Sequence, residues 1–336
     1  MHILRRIAVL VSITFLFLLP VTSEAKPWSF TISPQIGFIY GQAVEIVYKS
    51  PNSNLNLSEL LWDLKPLVYT GFSADFFPRD PAERHSFFTG LDFKCGLPLK
   101  AGAMEDRDWM NNKFDYFTHY SRHDAYSRHA VLIDLSTGYS WRLTSFLYLK
   151  AYADFSYMRF SWSAKDGYIQ YPTYDSSTEY PKWTDNLPKN YIDGELIRYA
   201  QNWFIFSPGL TITAKLNRLF AFEGSFNISP FVLCADRDDH FERGRYFKDY
   251  LSGGRFVKSS GVLIFSPLKN FDVILDFSYS HITGTRGYVD TYSTGAYGDL
   301  YLGRDEGIAG AGYSSFDLGL AARIRLFNRQ KTAIQN

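Results

Sequence analysis

The stretch FLYLKAYADFSYMR, Phe146 to Arg159, alternates with a period of two. Leu147, Leu149, Ala151, Ala153, Phe155 and Tyr157 fall on one face, and Tyr148, Lys150, Tyr152, Asp154 and Ser156 on the other. A strand with one apolar and one wet side has this pattern. Asp272 to Ser280 repeats it, with Val273, Leu275, Phe277 and Tyr279 opposite Asp272, Asp276, Ser278 and Ser280. So does the C-terminal segment, where Phe316, Leu318, Leu320, Ala322, Ile324 and Leu326 alternate with Asp317, Gly319, Ala321, Arg323 and Arg325. Followed along the chain, the alternation predicts ten strands, near residues 28–49, 58–76, 87–104, 127–140, 146–163, 198–213, 217–236, 255–267, 271–286 and 312–327.

The composition narrows what such strands can build. The 336 residues carry 35 Lys and Arg against 34 Asp and Glu, so there is no basic surplus to neutralise a nucleic-acid backbone. Two cysteines make neither a disulfide scaffold nor a Cys-rich zinc site. At the N-terminus, MHILRRIAVLVSITFLFLLPVTSEA has Arg5 and Arg6, an apolar run from Ile7 to Leu19, and the small residues Ser23 and Ala25. That layout reads as a secretory signal peptide over residues 1–25, and its apolar run is short for the roughly 20 residues that span a bilayer. Its removal takes two Arg and one Glu, leaving equal numbers of basic and acidic residues. No later segment is long and apolar enough for a transmembrane helix, which leaves strands as the way to cross a membrane.

An even strand number suits a bacterial outer-membrane barrel. The connections alternate too. Tight turns are expected at Tyr139–Arg142, Leu216–Asn217 and Pro267–Asn270, and long polar segments at Asp106–Arg122, Ala164–Leu196, Asp238–Gly254 and His281–Tyr313. Short periplasmic turns and long extracellular loops are the asymmetry of such barrels. Trp28 and Phe30, Phe76 and Phe77, and Trp203, Phe204 and Phe206 fall near strand ends, where interfacial girdles of aromatic rings belong. The fold class expected is therefore all-β: a ten-stranded antiparallel transmembrane barrel forming one domain over residues 26–336, its last strand ending near 327. A secreted β-sandwich would alternate as well, but does not account for long loops on one side only. A diffusion porin fits less, because ten strands leave little open lumen beside the roughly 16 to 18 of aqueous porins.

Two acidic segments stand at the long-loop ends of predicted strands: MEDRDWM, Met104 to Met110, and DRDDH, Asp236 to His240. Residues two apart in an extended chain share a face, so Asp106 with Asp108, and Asp238 with His240, form two pairs that can point into one groove. A carboxylate two residues from a histidine can hold the imidazole N–H and leave the other nitrogen to take a proton. Carboxylates placed close together raise each other's pKa. The arrangement suits activation of water and needs no Ser or Cys nucleophile. Taken singly, each Asp also reads as a solvated loop acid.

The two segments resemble the paired motifs of the omptins, outer-membrane aspartate/histidine endopeptidases built as ten-stranded barrels. Asp106-Arg107-Asp108-Trp109-Met110 and Asp236-Arg237-Asp238-Asp239-His240 match the family's D-x-D-W-M and D-x-D-x-H runs, in the same strand order. Ser121 to His123 (SRH) and GQAVEIVY, Gly41 to Tyr48, are similar to two further motifs. The resemblance implies hydrolysis of peptide bonds after basic residues at an exterior groove, with Asp238 and His240 as the dyad and Asp106 and Asp108 as the opposing carboxylates. The attacking water would lie between Asp106 and His240. Glu45 and Asp236 would receive the basic side chain by charge-assisted hydrogen bonds, with Met104 on the pocket wall. No metal or other cofactor is implied. The implied partners are peptides or proteins with basic residues and the outer-membrane lipid, lipopolysaccharide among it, with Arg159 as a lipid contact.

Some positions depart from the family pattern. His119 stands where an acidic residue can lie beneath the side chain after the cleaved bond, Glu105 and Arg107 alter the charge around Asp106, and no Arg accompanies Asn202. By parity Cys95 would face lipid and Cys234 the lumen, a poor geometry for a bridge. These departures, with the Tyr-rich segment from Ala164 to Leu196, motivate the alternative: a non-enzymatic barrel acting as an adhesin or surface-binding protein. Because the proposed base is a histidine, activity is expected to fall as acid protonates it.

Overall fold

The structure, a computed structural model, describes residues 28–78, 84–295 and 298–327; residues 1–25, expected from the sequence to be a signal peptide, and those after 327 lie outside these. The strands are β1 (Ser29–Tyr48), β2 (Asn56–Phe77), β3 (His85–Gly96), β4 (Lys100–Asp108), β5 (His119–Arg142), β6 (Leu147–Gln170), β7 (Asn190–Tyr191), β8 (Glu195–Lys215), β9 (Phe220–Ser229), β10 (Val232–His240), β11 (Arg245–Gly253), β12 (Phe256–Leu268), β13 (Phe271–Ile282), β14 (Arg286–Ser293) and β15 (Leu300–Phe327). All the pairings between them are antiparallel, and β1 closes the ring on β15, with Ser29 opposite Phe327 and Val47 opposite Ala309.

The wall has ten strands at every level, because four of them are each built from two pieces. Near the short turns the ring runs β1, β2, β3, β5, β6, β8, β9, β12, β13, β15; near the long loops β4, β10, β11 and β14 replace β3, β9, β12 and β13. The breaks fall where the backbone cannot continue the ladder. Pro98 lies between β3 and β4 and Pro230 between β9 and β10, and proline has no N–H to donate. Gly253, the last residue of β11, and Gly254 after it have φ of 85° and 70°. An added Cβ on Gly254 would stand 2.7 Å from the Thr283 carbonyl oxygen, so only glycine fits there without strain.

On β1 the predicted alternation is complete: Ile32, Ile36, Phe38 and Tyr40 face outward, while Ser29, Thr31, Ser33 and Gln35 are buried inside. Phe206, Leu210 and Ile212 on β8, Leu275 and Phe277 on β13, and Phe316, Leu318, Leu320 and Ile324 on β15 continue the exposed apolar belt. In a soluble protein so large a patch would be a liability, whereas against acyl chains it is the favourable surface. Inside, paired charges cross the lumen. Lys94 on β3 pairs with Asp317 on β15, and Lys258 on β12 donates to Asp134 on β5 at 2.9 Å. Above this layer Trp62, Trp162, Tyr199, Phe160 and Tyr313 stack from wall to wall, with ring centroids 5.2 to 6.0 Å apart. The lumen is filled rather than open.

Three expectations are corrected. The segments expected as long loops are partly wall: β5 begins at His119, β6 runs to Gln170, β11 and β14 lie within two of those segments, and β15 starts at Leu300. These strand ends rise beyond the apolar belt, where both faces are wet and no apolar alternation marks them. Tyr139–Arg142 belongs to β5, and the tight turn follows at residues 143–146, with Leu143 N–H donating to the Leu147 carbonyl at 2.9 Å. Trp203 is not in a girdle: it is buried inside the barrel, its Nε1–H donating to Gln201 Oε1 at 3.1 Å. Cys95 and Cys234 are both free, and Cys234 faces inward as expected.

Candidate active site

The groove at the long-loop end is built from inward-facing positions of strands on opposite sides of the ring. On β4, Met104, Asp106 and Asp108 share the inner face, and on β10 so do Cys234, Asp236, Asp238 and His240. Glu45 comes from β1. Glu45 and Asp236 each lie five residues beyond a strongly exposed aromatic residue, Tyr40 and Phe231, about 16 Å along the chain. The acids lie on the long-loop side of those aromatics.

Asp238 and His240 bond to each other through Oδ2 and Nε2. The imidazole is largely covered and packs edge-on against Phe247 with centroids 5.5 Å apart. Opposite, Asp106 Oδ1 accepts from Ser58 Oγ at 3.1 Å, a β2 residue directly across from Asp108. The two sides sense each other: Asp238 acts electrostatically on Asp106, and His240 on Asp108. Burial, followed by repulsion from Asp108, raises the pKa of Asp106 well above the usual carboxylate range. Burial raises Asp108 too, against Ser58 and then the opposing charges of Arg243 and His240. Arg243 stands at the exposed tip between β10 and β11.

Beside the Asp238 and His240 pair lies a cluster of buried acids. Asp236 accepts from the Tyr199 hydroxyl at 3.0 Å, and Gln201 Nε2 donates both to that hydroxyl, at 2.9 Å, and to the Val44 carbonyl of β1, at 3.1 Å. Gln201 thus bridges β8 to β1 beneath the acids. Burial pushes Asp236 up to about 7, opposed by the Tyr199 hydrogen bond and assisted by Asp238. Burial, with Asp238 and Asp236 next, raises Glu45 well above its ordinary value. Glu45 Oε2 and Asp238 Oδ1 are buried without a hydrogen-bond partner among the described residues. Buried carboxylate oxygens left this way are costly, and a cationic guest would relieve them. Met104 is fully buried opposite Trp62 and belongs to the apolar floor under the pocket.

The structure thus brings together Asp106, Asp108, Asp238, His240, Glu45 and Asp236, with Met104 below them. Arg159 is elsewhere, on the outer wall, where it donates to Asn202 Oδ1 at 2.6 Å and His129 Nε2 at 2.9 Å. His119 is directly opposite Asp108 but is covered, held edge-on between Tyr171 and Tyr180 at 4.7 Å from each. Burial lowers its pKa. Ser58, Tyr199, Gln201 and Asp249 were not legible as site residues. Asp249 lies in a segment expected to be loop, and only the β10 and β11 register places it opposite Asp236.

Ten wall strands, an outward apolar belt, a filled lumen and an acid-and-histidine groove at the long-loop end define an outer-membrane β-barrel with a surface-exposed site. The chain belongs to the omptin family, whose model matches residues 26–323. It is 27% identical over 294 residues to the plasminogen activator of Yersinia pestis, covering 86% of this chain and 88% of that protein. It is 25% identical over 265 residues to the outer membrane protease OmpP of Escherichia coli K12, covering 76% and 78%. Among solved structures, that of the Escherichia coli outer membrane protease OmpT superposes with a TM-score of 0.77 at 18% identity, covering 89% of this chain and 97% of that one.

Proposed function

We propose that this chain is an outer-membrane endopeptidase that hydrolyses peptide bonds after basic residues, using a water activated by Asp238 and His240. The reading is carried by the juxtaposition of the bonded Asp238 and His240 pair with Asp106 and Asp108 across one groove. Membership of the omptin family, with relatives named as proteases, supports it. With Nε2–H donated to Asp238, the imidazole keeps its lone pair on Nδ1, and that nitrogen takes a proton from water. Asp238 orients the ring and stabilises the imidazolium that forms. Water held between His240 and Asp106 then attacks the scissile carbonyl, and the proton on His240 passes to the leaving amine. Burial shifts Asp106 and Asp108 toward their protonated forms, and a proton held there is available to the developing oxyanion.

The unpartnered oxygen of Glu45, with Asp236 nearby, would receive the basic side chain before the cleaved bond. Arg159, on the outer wall at the top of the belt, would meet an anionic lipid headgroup, lipopolysaccharide included. Refolded protein should cleave a quenched peptide containing Arg-Arg, and Asp238→Ala or His240→Ala should each abolish cleavage. Wild-type rates in both variants would remove the assignment.

A further inference from the structure

Asp249 is a carboxylate that the mechanism above does not use. On β11 it faces Asp236 of β10 directly across the ladder, so the two side chains leave the wall on the same face. It is only 4% exposed. The two carboxyl groups act directly on each other, an interaction that lowers the pKa of Asp236 and raises that of Asp249, whose pKa burial raises further. Asp249 Oδ1 remains buried with no partner among the described residues, as does Glu45 Oε2, and Glu45 lies within the field of Asp249.

We propose that Asp249 is a specificity-determining residue: its carboxyl group orients Asp236 and presents Oδ1 as a third acceptor that selects an arginine guanidinium over a lysine ammonium. The inference rests on the reading of this pocket as the receptor of a basic side chain. A guanidinium carries five N–H donors spread over a plane, enough to engage Asp236, Glu45 and Asp249 from three directions together. An ammonium carries three donors on one nitrogen, so it cannot reach acceptors spaced around a planar fork in the same way. Burial, with Asp236 and Asp238 next, raises the Asp249 pKa and so favours its neutral form, which suits one cation better than a third full negative charge would.

The role is open to a direct binding test that needs no cleavage. Butylguanidine and pentylamine serve as the arginine and lysine probes, titrated calorimetrically into the detergent-solubilised full barrel. Wild type should prefer butylguanidine at least tenfold. Asp249→Asn keeps a donor toward Asp236 and a free carbonyl oxygen, and should hold that preference within threefold. Asp249→Ala, with Asp249→Leu as a variant that keeps the volume, should collapse the preference to threefold or less, mainly through weaker butylguanidine binding. Retention of the wild-type preference in both the Ala and Leu variants overturns the proposal. So does its complete loss in Asp249→Asn, which would make Asp249 an anionic counter-charge. Absence of butylguanidine binding to wild type would remove both the pocket reading and this one. Binding with the expected pattern in a protein that cleaves no Arg-Arg peptide would leave the Asp249 role standing and remove hydrolysis alone.

Discussion

The Tyr199 hydroxyl donates to Asp236 Oδ2 at 3.0 Å, and so ties the aromatic floor of the groove to its acidic pocket. Tyr199 also stacks on Trp62 at 5.3 Å, so the ring that fixes the carboxylate is itself fixed by the core. Tyr199→Phe keeps the stacking and removes the donor. The bond favours ionised Asp236, so its loss should raise the pKa of Asp236 above about 7. A hydrogen bond to a charged group contributes about 1.5 to 3 kcal/mol, so KM for an Arg peptide at pH 7 should rise roughly tenfold or more, with partial recovery at pH 8.5. An unchanged KM across that range would show that Asp236 does not depend on Tyr199.

Asp236, Glu45, Asp249 and Asp106 all have pKa values raised by folding. For an acid shifted upward, the folded state binds the proton more tightly than the unfolded chain, whose carboxyl titrates near about 4. The favourable contribution is present in full below that value and is lost as pH rises through the folded value, about 7 for Asp236. The substrate-free barrel should therefore melt lower at pH 8 than at pH 5.5, measured by loss of near-UV circular dichroism on heating. Asp236→Asn should flatten that dependence. Binding butylguanidine near pH 6.5 should release protons, seen as a calorimetric heat that changes with the ionisation enthalpy of the buffer.

Ser58 touches the groove only through its hydroxyl, which donates to Asp106 Oδ1 at 3.1 Å. Ser58→Ala should lower kcat/KM about fivefold, the equivalent of one ordinary hydrogen bond of about 1 kcal/mol. Because that bond lowers the Asp106 pKa, its removal should also move the limb of the pH profile governed by the Asp106 and Asp108 pair upward. Ser58→Thr, which retains a hydroxyl, should recover most of the rate. A loss of rate without a shifted profile would mark Ser58 as a packing residue.

Trp62 is fully buried and stacks on both Tyr199 and Trp162. Trp62→Ala leaves a large cavity between the lumen charges and the groove, and should cost about 3 to 5 kcal/mol. Trp62→Phe should cost less, and keep cleavage measurable. Equal melting temperatures for wild type and Trp62→Ala would contradict the role of this aromatic layer as the core.

The lower barrel was legible because a strand between lipid and a polar lumen must alternate at every position. Ile32, Ile36, Phe38 and Tyr40 reveal themselves against Thr31, Ser33 and Gln35 in a single line of sequence. Above the belt that contrast vanishes. β11, β14 and the first part of β15 therefore read as loop although they are wall. That Asp106 shares a face with Asp108, and Asp238 with His240, could be read because each pair lies two residues apart, within the reach of strand parity. Trp203 misled, since an aromatic near a strand end does not declare which face it takes.

The amino-acid sequence by itself determined the strand class, the sidedness of the wall, and the two short acid motifs, all properties that depend on neighbours within a few positions. Tertiary structure alone decided that β4 and β10 face each other across one groove, that Tyr199 and Gln201 underlie Asp236, and that Asp249 stands opposite it. Those relations depend on ring closure and strand register, which join residues far apart in the chain, 157 positions in the Gln201 bond to Val44. Closure brings several carboxylates into one enclosed volume, and it is their shared burial, not their number in the chain, that sets the charge of the pocket.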